Sequence, residues 1–313
     1  MRVLITGATG FVGTYLMEHH IKKGDIVLGA GFLPTVLPKD YAPFETQLRR
    51  VDIRYREQID AVVDELQPDL VYHLAAQSYP ALSWKMPAET LDTNVKGTSN
   101  VFESIKRTGA KPRVVVACSS AQYGYVPEHA VPISEAYPMR PLHPYGVSKL
   151  ATEALAIQHF ENDGIQAVCA RIFNTTGPRK QGDVCADFTR RAVDAERGLI
   201  SPILKVGNLT TRRAITDVRD LVSALVLLGQ KGQAGQAYNV SGEKTYLISD
   251  LLDLVKDYSV VPLAVVQDPN LMRPSDEPVI FGDSSKLKTD TNWVQTVSIE
   301  KTLTDMLSYW RNN

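Results

Sequence analysis

The sequence predicts an α/β fold in which helices cover both faces of a doubly wound parallel sheet. Short β-like runs alternate with helical stretches of roughly 10 residues or more through the first half of the chain. A glycine-rich turn directly follows the first of these runs and opens the first helix. Right-handed crossovers join parallel strands in such units, and they place helices on both faces of the sheet.

Each element of the first half is predicted from its own pattern. Continuous apolar runs are typical of strands buried on both faces of a parallel sheet, and they occur at residues 2–6, 25–29, 70–74, 113–118 and 166–172. The longer stretches between these runs are predicted as helices, at residues 13–23, 57–66, 88–109 and 145–163.

The regular alternation of predicted strands and helices ends in the second half of the chain. Turn-rich segments at 174–183 and 206–213 interrupt the helices, and residues 268–285 are rich in Pro, Asp and Ser. We therefore expect one domain over residues 1–172 and a smaller α/β portion over residues 173–313. The second portion should cap the ligand end of the sheet and return some of its strands to it.

The composition is that of an ordinary soluble globular protein, with 313 residues, 44% hydrophobic and 22% charged. A formal net charge of -1 gives no basic excess that would indicate a nucleic-acid or membrane partner. Cys118, Cys169 and Cys185 are widely spaced, which excludes a disulfide framework and favours a cytoplasmic location. The scattered histidines lack spaced acidic partners, so no metal site is expected.

The turn after the first strand has the spacing G-x-x-G-x-x-G, formed by Gly7, Gly10 and Gly13. Gly7 permits the sharp turn, Gly10 lets the backbone approach a diphosphate, and Gly13 lets the helix pack closely on the strand. The N–H groups at the start of this helix, including those of Phe11 and Val12, favour an anion. This context predicts a dinucleotide site rather than a structural turn alone.

Tyr145 and Lys149 lie four residues apart on a predicted helix, so their side chains share one face. A free tyrosine has a pKa near ~10, and a neighbouring ammonium should bring that pKa closer to neutral. Ser119, with Ser120 beside it, follows the strand at 113–118, at the sheet edge where ligands bind. Each pattern also occurs in ordinary helices and turns, but together they predict catalytic proton transfer by Ser119, Tyr145 and Lys149.

These motifs, together with H-L-A-A at 73–76 and T-N-V-x-G-T around Asn94, resemble the extended short-chain dehydrogenase/reductases. This is the NAD-dependent epimerase/dehydratase family, and the motifs follow its order over essentially the whole chain. The resemblance implies a Rossmann domain, a nicotinamide cofactor, an Asn94 that braces the central strands, and a homodimer formed through packed helices. The cofactor contacts that it implies, besides the glycine turn, Tyr145 and Lys149, are Asp52, Ile53, Leu74, Ala75 and Ala76.

The end of the second strand favours NADP over NAD. An acidic residue there would hold the ribose 2′-hydroxyl of NAD, but the sequence continues through Gly31 and Phe32. The missing carboxylate removes repulsion against a 2′-phosphate. Arg49 and Arg50 are candidate phosphate ligands, with a solvated surface as the alternative.

Several segments are similar to the branch of the family that acts on GDP-mannose derivatives. The resemblance implies that a nucleotide sugar, GDP-linked in this branch, contacts Ser78, Ser83, Ser120, Asn174, Arg213, Arg273 and Asp276. Thr175 departs from the histidine usual in this branch, and Ala214 departs from its usual acid.

The implied reaction is the reduction of the C4 ketone of a GDP-4-keto-6-deoxy-hexose. Ala121 stands where the 4,6-dehydratases of the family carry a glutamate, and alanine cannot remove the proton that elimination requires. A dehydratase is therefore disfavoured. A 4-epimerase with tightly bound NAD and a non-catalytic NAD(P) sensor stay open as alternatives.

Overall fold

The computed structural model describes residues 1–272 and 277–313. Its strands are β1 Arg2–Thr6, β2 Ile26–Gly31, β3 Leu48–Arg50, β4 Leu70–His73, β5 Arg113–Ser119, β6 Gln166–Ile172, β7 Asn174–Thr176, β8 Ile203–Val206, β9 Arg212–Asp217, β10 Ala237–Val240, β11 Thr245–Leu247, β12 Ala264–Gln267 and β13 Val279–Ile280. Its α-helices are α1 Phe11–Lys22, α2 Pro38–Tyr41, α3 Arg56–Leu66, α4 Pro80–Lys85, α5 Pro87–Leu91, α6 Gly97–Arg107, α7 Pro144–Asp163, α8 Val184–Glu196, α9 Val218–Lys231, α10 Ile248–Tyr258, α11 Ser285–Thr291 and α12 Ile299–Arg311.

The principal sheet has seven strands in the order β3-β2-β1-β4-β5-β6-β10, and every pairing in it is parallel. The predicted α/β class with a doubly wound parallel sheet is confirmed. The chain runs outward from β1 in one direction and from β4 in the other, so the strand order reverses between these two strands. A crevice for ligands opens at such a reversal, at the carboxyl ends of the strands.

Alternating side chains of the central strands build a core on each face of the sheet. Val3 and Ile5 of β1 pack with Leu16 of α1 and Leu225 of α9 on one face. On the other face, Leu4 joins a cluster in which side chains of the strands pack against α3, α6 and α7. Both faces of the sheet are therefore covered by buried apolar side chains, as the continuous apolar runs predict.

The second half of the chain forms a smaller layer beside the sheet. Strands β11, β9 and β13 pair in that order with β7 on β9, and β12 pairs with β8. Apolar side chains of α8, α10 and α12 enclose a separate core. Strand β10 of this half returns to the main sheet beside β6. No helix among the described residues is long and apolar enough to cross a membrane.

The structure corrects the predicted helix over 88–109. Helix α5 ends at Leu91, a π-helical turn runs over Asp92–Lys96, and α6 begins at Gly97. The carbonyl of Asn94 accepts hydrogen bonds from the hydroxyls of Thr98 and Thr152 at 2.5 and 3.2 Å. These buried contacts stabilise a turn that hydrophobic periodicity does not reveal. The short strand β3 was also not predicted, because three half-exposed residues carry no clear pattern.

A buried ion pair links α7 to β6. The Arg171 guanidinium donates to both carboxylate oxygens of Glu153 at 2.9 and 2.6 Å, and both residues are almost fully buried. Arg171 also donates to the Tyr123 hydroxyl and to the Glu135 carbonyl, each at 2.8 Å. Because the remaining polar atoms are also satisfied, this pair fixes the position of α7 on the sheet.

We expect Glu153→Ala to lower the free energy of unfolding by about 3–5 kcal/mol, because it leaves a buried guanidinium unpaired. Glu65→Ala is the matched control. It removes the partner of Arg49 in a surface pair whose side chains are 41% and 45% exposed, so it should cost less than about 1 kcal/mol. Urea denaturation measures both values, and equal losses for the two variants would contradict this account.

Candidate active site

The glycine turn brings the start of α1 close to β1 and to the segment after β4. Gly7 has a φ of 74°, and a Cβ added there would lie 2.9 Å from the Ala75 backbone nitrogen. A Cβ on Gly13 would lie 2.2 Å from the Gly7 carbonyl oxygen. Only glycines therefore let α1 start this close to β1, and the first N–H groups of α1, including those of Phe11 and Val12, have no acceptor within the helix. The first turn contains no acidic side chain that would repel a phosphate.

Thr6 holds this turn against the segment that follows β4. Its hydroxyl oxygen accepts the N–H groups of Leu74 and Ala75, both at 3.2 Å. The same hydroxyl lies 2.9 Å from Nδ1 of His73, and Nε2 of that ring lies 2.9 Å from the Thr98 hydroxyl. Burial lowers the pKa of His73 to about 3, so the ring is neutral. The backbone of 74–76 is thereby fixed beside the glycine turn.

Asp52 and Ile53 lie at the sheet edge after β3. Arg54, which the sequence analysis did not find, donates from Nη2 to the Asp52 carboxylate at 2.6 Å and holds the pKa of that carboxyl below its usual range. Ile53 is buried, and a Cβ on Gly97 would approach its Cδ1 to 2.5 Å. The Asp52 carboxylate is therefore already paired within the protein.

The structure brings Ser119, Tyr145 and Lys149 together at the carboxyl end of β5. The Lys149 ammonium lies 6.0 Å from the centre of the Tyr145 ring and donates to the Ala117 carbonyl at 2.6 Å. The Ser119 side chain lies near the Tyr145 phenol and acts to lower the pKa of that phenol. All three predicted catalytic residues are less than a tenth exposed.

Burial dominates the ionisation of this cluster. It raises the pKa of Tyr145, and the neighbouring Ser119 side chain offsets only part of the rise. Burial also lowers the pKa of Lys149 to about 8. The expectation that the ammonium brings the phenol toward neutral pKa is therefore wrong for the protein alone. At neutral pH the phenol keeps its proton and the lysine is mostly charged, an arrangement suited to proton donation.

Asn94 connects the segment after β4 with the tyrosine helix. Its Oδ1 accepts the Gln77 N–H at 2.7 Å, and its Nδ2 donates to the Ser148 hydroxyl at 2.8 Å. Ser148 in turn donates to the Tyr145 carbonyl at 2.7 Å. Asn94 therefore braces α7 against this segment, whereas the resemblance implied the central strands.

Gln122 stabilises the turn that begins at Ser119 through its side-chain amide. Its Oε1 accepts the Ser119 N–H at 2.9 Å, and its Nε2 donates to Glu153 at 2.8 Å. The buried ion pair of Glu153 and Arg171 is thus connected to the backbone of Ser119. Ser119 and Gln122 have the S-x-x-Q spacing of a capping box, which is the local signal that could have identified Gln122. Its bond to Glu153 has no such signal, because the two residues lie far apart in the chain.

The predicted substrate residues have different surroundings. Ser78 is exposed and Ser120 is half-buried. Ser83 is fully buried and its hydroxyl donates to the Pro80 carbonyl at 2.7 Å. Ser83 therefore offers no surface to a ligand, because its hydroxyl is buried and bonded within the short helix α4.

Asn174 and Arg213 come together on β7 and β9, since Asn174 lies opposite Ile215. The Asn174 amide donates to the Ala214 carbonyl at 3.5 Å, and the Arg213 guanidinium donates to the Glu277 carbonyl at 2.8 Å. The predicted contacts Arg273 and Asp276 lie outside the described residues. Within the ranges that the structure covers, no group of three or more His, Cys, Asp or Glu side chains could hold a metal ion.

Comparison with known proteins assigns this site to a family. A family model described as GDP-mannose 4,6 dehydratase matches residues 4–306. The chain belongs to this family. It also has the extended short-chain dehydrogenase/reductase fold that the motifs resemble.

Three relatives illustrate the range of the similarity. GDP-6-deoxy-D-mannose reductase of Pseudomonas aeruginosa is 34% identical, over 99% of this chain and 97% of that protein. The structure of RMD from Pseudomonas aeruginosa complexed with NADPH superposes with a TM-score of 0.88 at 32% identity, covering 100% of this chain and 99% of that one. UDP-glucose 4-epimerase of Thermus thermophilus, complexed with NAD, has a TM-score of 0.88 at 26% identity, covering 99% of each chain.

Proposed function

We propose that this protein is a nucleotide-sugar oxidoreductase that uses NADPH to reduce the C4 ketone of a GDP-4-keto-6-deoxy-hexose. The observation that carries the proposal is the buried Ser119–Tyr145–Lys149 cluster with its protonated phenol. The similarity to a GDP-6-deoxy-D-mannose reductase supports the same substrate class. The cysteines are buried and free, which suits a reducing cytoplasm.

Each group at the site has a separate role in the proposed reaction. The glycine turn and the start of α1 hold the cofactor diphosphate, and the bound nicotinamide supplies a hydride. Ser119 donates a hydrogen bond to the ketone oxygen and orients it. Tyr145 transfers its proton to that oxygen as the alkoxide forms, and the Lys149 ammonium stabilises the phenolate left behind.

Ala121 separates this proposal from a dehydratase, although the family model is described by that activity. Its N–H donates to the Ser119 hydroxyl at 3.2 Å, so the residue lies within the catalytic turn. A methyl group there cannot abstract a proton. The carboxylate of Glu153, which is joined to this turn through Gln122, is committed to Arg171 and cannot replace a missing base.

The proposed reductase should oxidise NADPH when it is mixed with the keto sugar, because each turnover consumes one hydride. Tyr145→Phe should lower kcat by about a hundredfold or more, as expected for loss of a general acid, while NADPH still binds. Absorbance of the reduced nicotinamide measures both. Wild-type protein that leaves NADPH unchanged would contradict reduction.

The second candidate is a 4-epimerase, which the similarity to an NAD-bound UDP-glucose 4-epimerase favours. The same three residues could remove and return a proton. An epimerase would copurify with cofactor and interconvert nucleotide sugars without net oxidation. A sensor would instead tolerate Tyr145→Phe without loss of its biological activity.

Arg50 is the better candidate ligand for the 2′-phosphate of NADP. It lies opposite Gly31, at the end of β2, and its guanidinium is 5.4 Å from the centre of the Phe32 ring. Arg49 is held by two hydrogen bonds to Glu65. Arg50 forms no ion pair with any residue in the described ranges, so its charge is available to a phosphate.

Arg50→Gln should raise KM for NADPH about tenfold or more and leave KM for NADH nearly unchanged, because only NADPH carries the 2′-phosphate. Arg49→Gln is the matched control and should affect neither value strongly. Steady-state kinetics with both cofactors make the comparison. Similar changes for NADPH and NADH in Arg50→Gln would rule out this contact.

A homodimer through the packed helices is part of the proposal. Five large apolar side chains on α4, α5 and α7, or at the junction of α4 and α5, are exposed. They include Trp84, which is 65% exposed, and Val147, which is 45% exposed. The other members are Leu82, Met86 and Leu91. Helices α4, α5 and α7 pack on one another, and exposed apolar side chains on neighbouring helices are typical of an interface between subunits.

Leu91→Glu should convert the dimer to monomers, because it places a charge in the apolar contact. Sedimentation velocity reports the change. Val260→Glu is the control, since Val260 is 75% exposed but follows α10 in the other half of the chain. Dimers that persist in Leu91→Glu, or dissociate equally in both variants, would exclude this interface.

A further inference from the structure

The helix that carries the catalytic phenol begins with an unusual cap. His143 is the N-cap of α7, and its Nδ1 accepts the Gly146 N–H at 3.1 Å. Serine, threonine, aspartate and asparagine are the common residues at such a position, because a short side-chain oxygen reaches the free N–H. A histidine that caps through one ring nitrogen keeps a second nitrogen for another partner.

The cap decides which nitrogen of His143 carries the proton. Because Nδ1 accepts a hydrogen bond, the proton of the neutral ring lies on Nε2. Burial lowers the pKa of this histidine, and Glu277 offsets only part of that effect. The ring is therefore a neutral donor at pH 7, with its N–H directed away from its own helix. No acceptor for this N–H occurs among the residues that the structure describes.

The position of the ring places this donor at the reaction site. It stacks on the Tyr145 ring with an interplanar angle of 15° and centroids 6.0 Å apart. The start of α7 packs on the serine turn, since a Cβ on Gly146 would lie 2.5 Å from the Ala121 carbonyl oxygen. Glu277, from the second half of the chain, is near enough to act on the pKa of the ring through its charge. His143 therefore lies at the start of α7, beside Tyr145 and close to the turn that contains Ala121.

We propose that His143 is a substrate-contacting residue, whose Nε2–H donates a hydrogen bond to a hexose oxygen next to the reacting carbonyl. The inference rests on the proposed function, because it assigns a sugar contact within the same site. The cap and the stacked phenol hold the ring in one orientation, so the donor needs no rearrangement when the sugar binds. The contact selects sugars with an acceptor at that position.

Two variants separate the donor from the cap. His143→Ser keeps a capping oxygen but has no group that reaches as far as Nε2. His143→Gln places an amide N–H near the position of Nε2 and loses the Nδ1 acceptor. If His143 served only as a cap, His143→Ser would bind the sugar like wild type and His143→Gln would bind it more weakly. If His143 contacts the substrate, His143→Ser should bind the sugar more weakly than His143→Gln.

We expect His143→Ser to raise KM for the keto sugar about tenfold, the loss of one hydrogen bond between neutral groups, with kcat within about twofold and an unchanged Tm. His143→Gln should keep KM near the wild-type value with a lower Tm. Calorimetric titration of GDP-mannose into each protein should give the same order of affinities. Wild-type KM and affinity in His143→Ser would overturn the proposal, as would equal losses in both variants.

The titration also distinguishes this inference from the proposed function. If wild-type protein binds GDP-mannose but does not oxidise NADPH with the keto sugar, the reductase assignment fails, and the affinities of the two variants still decide the role of His143. Wild-type protein that binds no GDP-mannose would overturn the contact with the sugar as well.

Discussion

The hydrogen bond from the Lys149 ammonium to the Ala117 carbonyl joins the helix that carries the phenol to the strand that ends in the serine. It is made between buried groups, so it is strong and intolerant of displacement. The ion pair of Glu153 with Arg171, one turn further along α7, fixes the same helix on the neighbouring strand β6. Together these contacts set the distance between the phenol and the reactive hydroxyl.

The same burial determines the direction of proton transfer. In a dry site the neutral form of a phenol is favoured, and a lysine loses part of its preference for the charged form. In the proposed reaction Tyr145 therefore starts as a proton donor, and the charge of Lys149 stabilises the phenolate that forms. This order fits reduction of a ketone, in which negative charge develops on the oxygen that receives the hydride.

Sequence reasoning predicted the parts of the molecule whose causes are local. The glycine turn depends on consecutive residues around Gly7, and Tyr145 and Lys149 meet because they lie one helical turn apart. The central strands follow from continuous apolar runs. Two of the five predicted strands have the same boundaries in the structure, and the other three differ by at most two residues at either end.

The partners that sequence reasoning missed are brought together from distant elements. The bond from Gln122 to Glu153 joins residues far apart in the chain, so no short motif marks it. Asn94 was found through its motif, but its bond to Ser148 was not predicted. The burial of Ser83 depends on how α4 folds back, which its similarity to a substrate loop did not show. The pKa of Tyr145 was misjudged because spacing reveals a neighbouring charge but not the depth of burial.

The pH dependence of kcat for ketone reduction tests the buried tyrosine–lysine pair most directly. Burial lowers the pKa of Lys149 to about 8, so the ammonium is present below that pH and is lost above it. The account predicts that kcat is level below pH 8 and falls about tenfold per unit above it, and that Lys149→Arg, whose charge persists, does not show this fall. A wild-type kcat that stays constant up to the pH range in which ordinary lysines titrate, near ~10.4, would contradict the account.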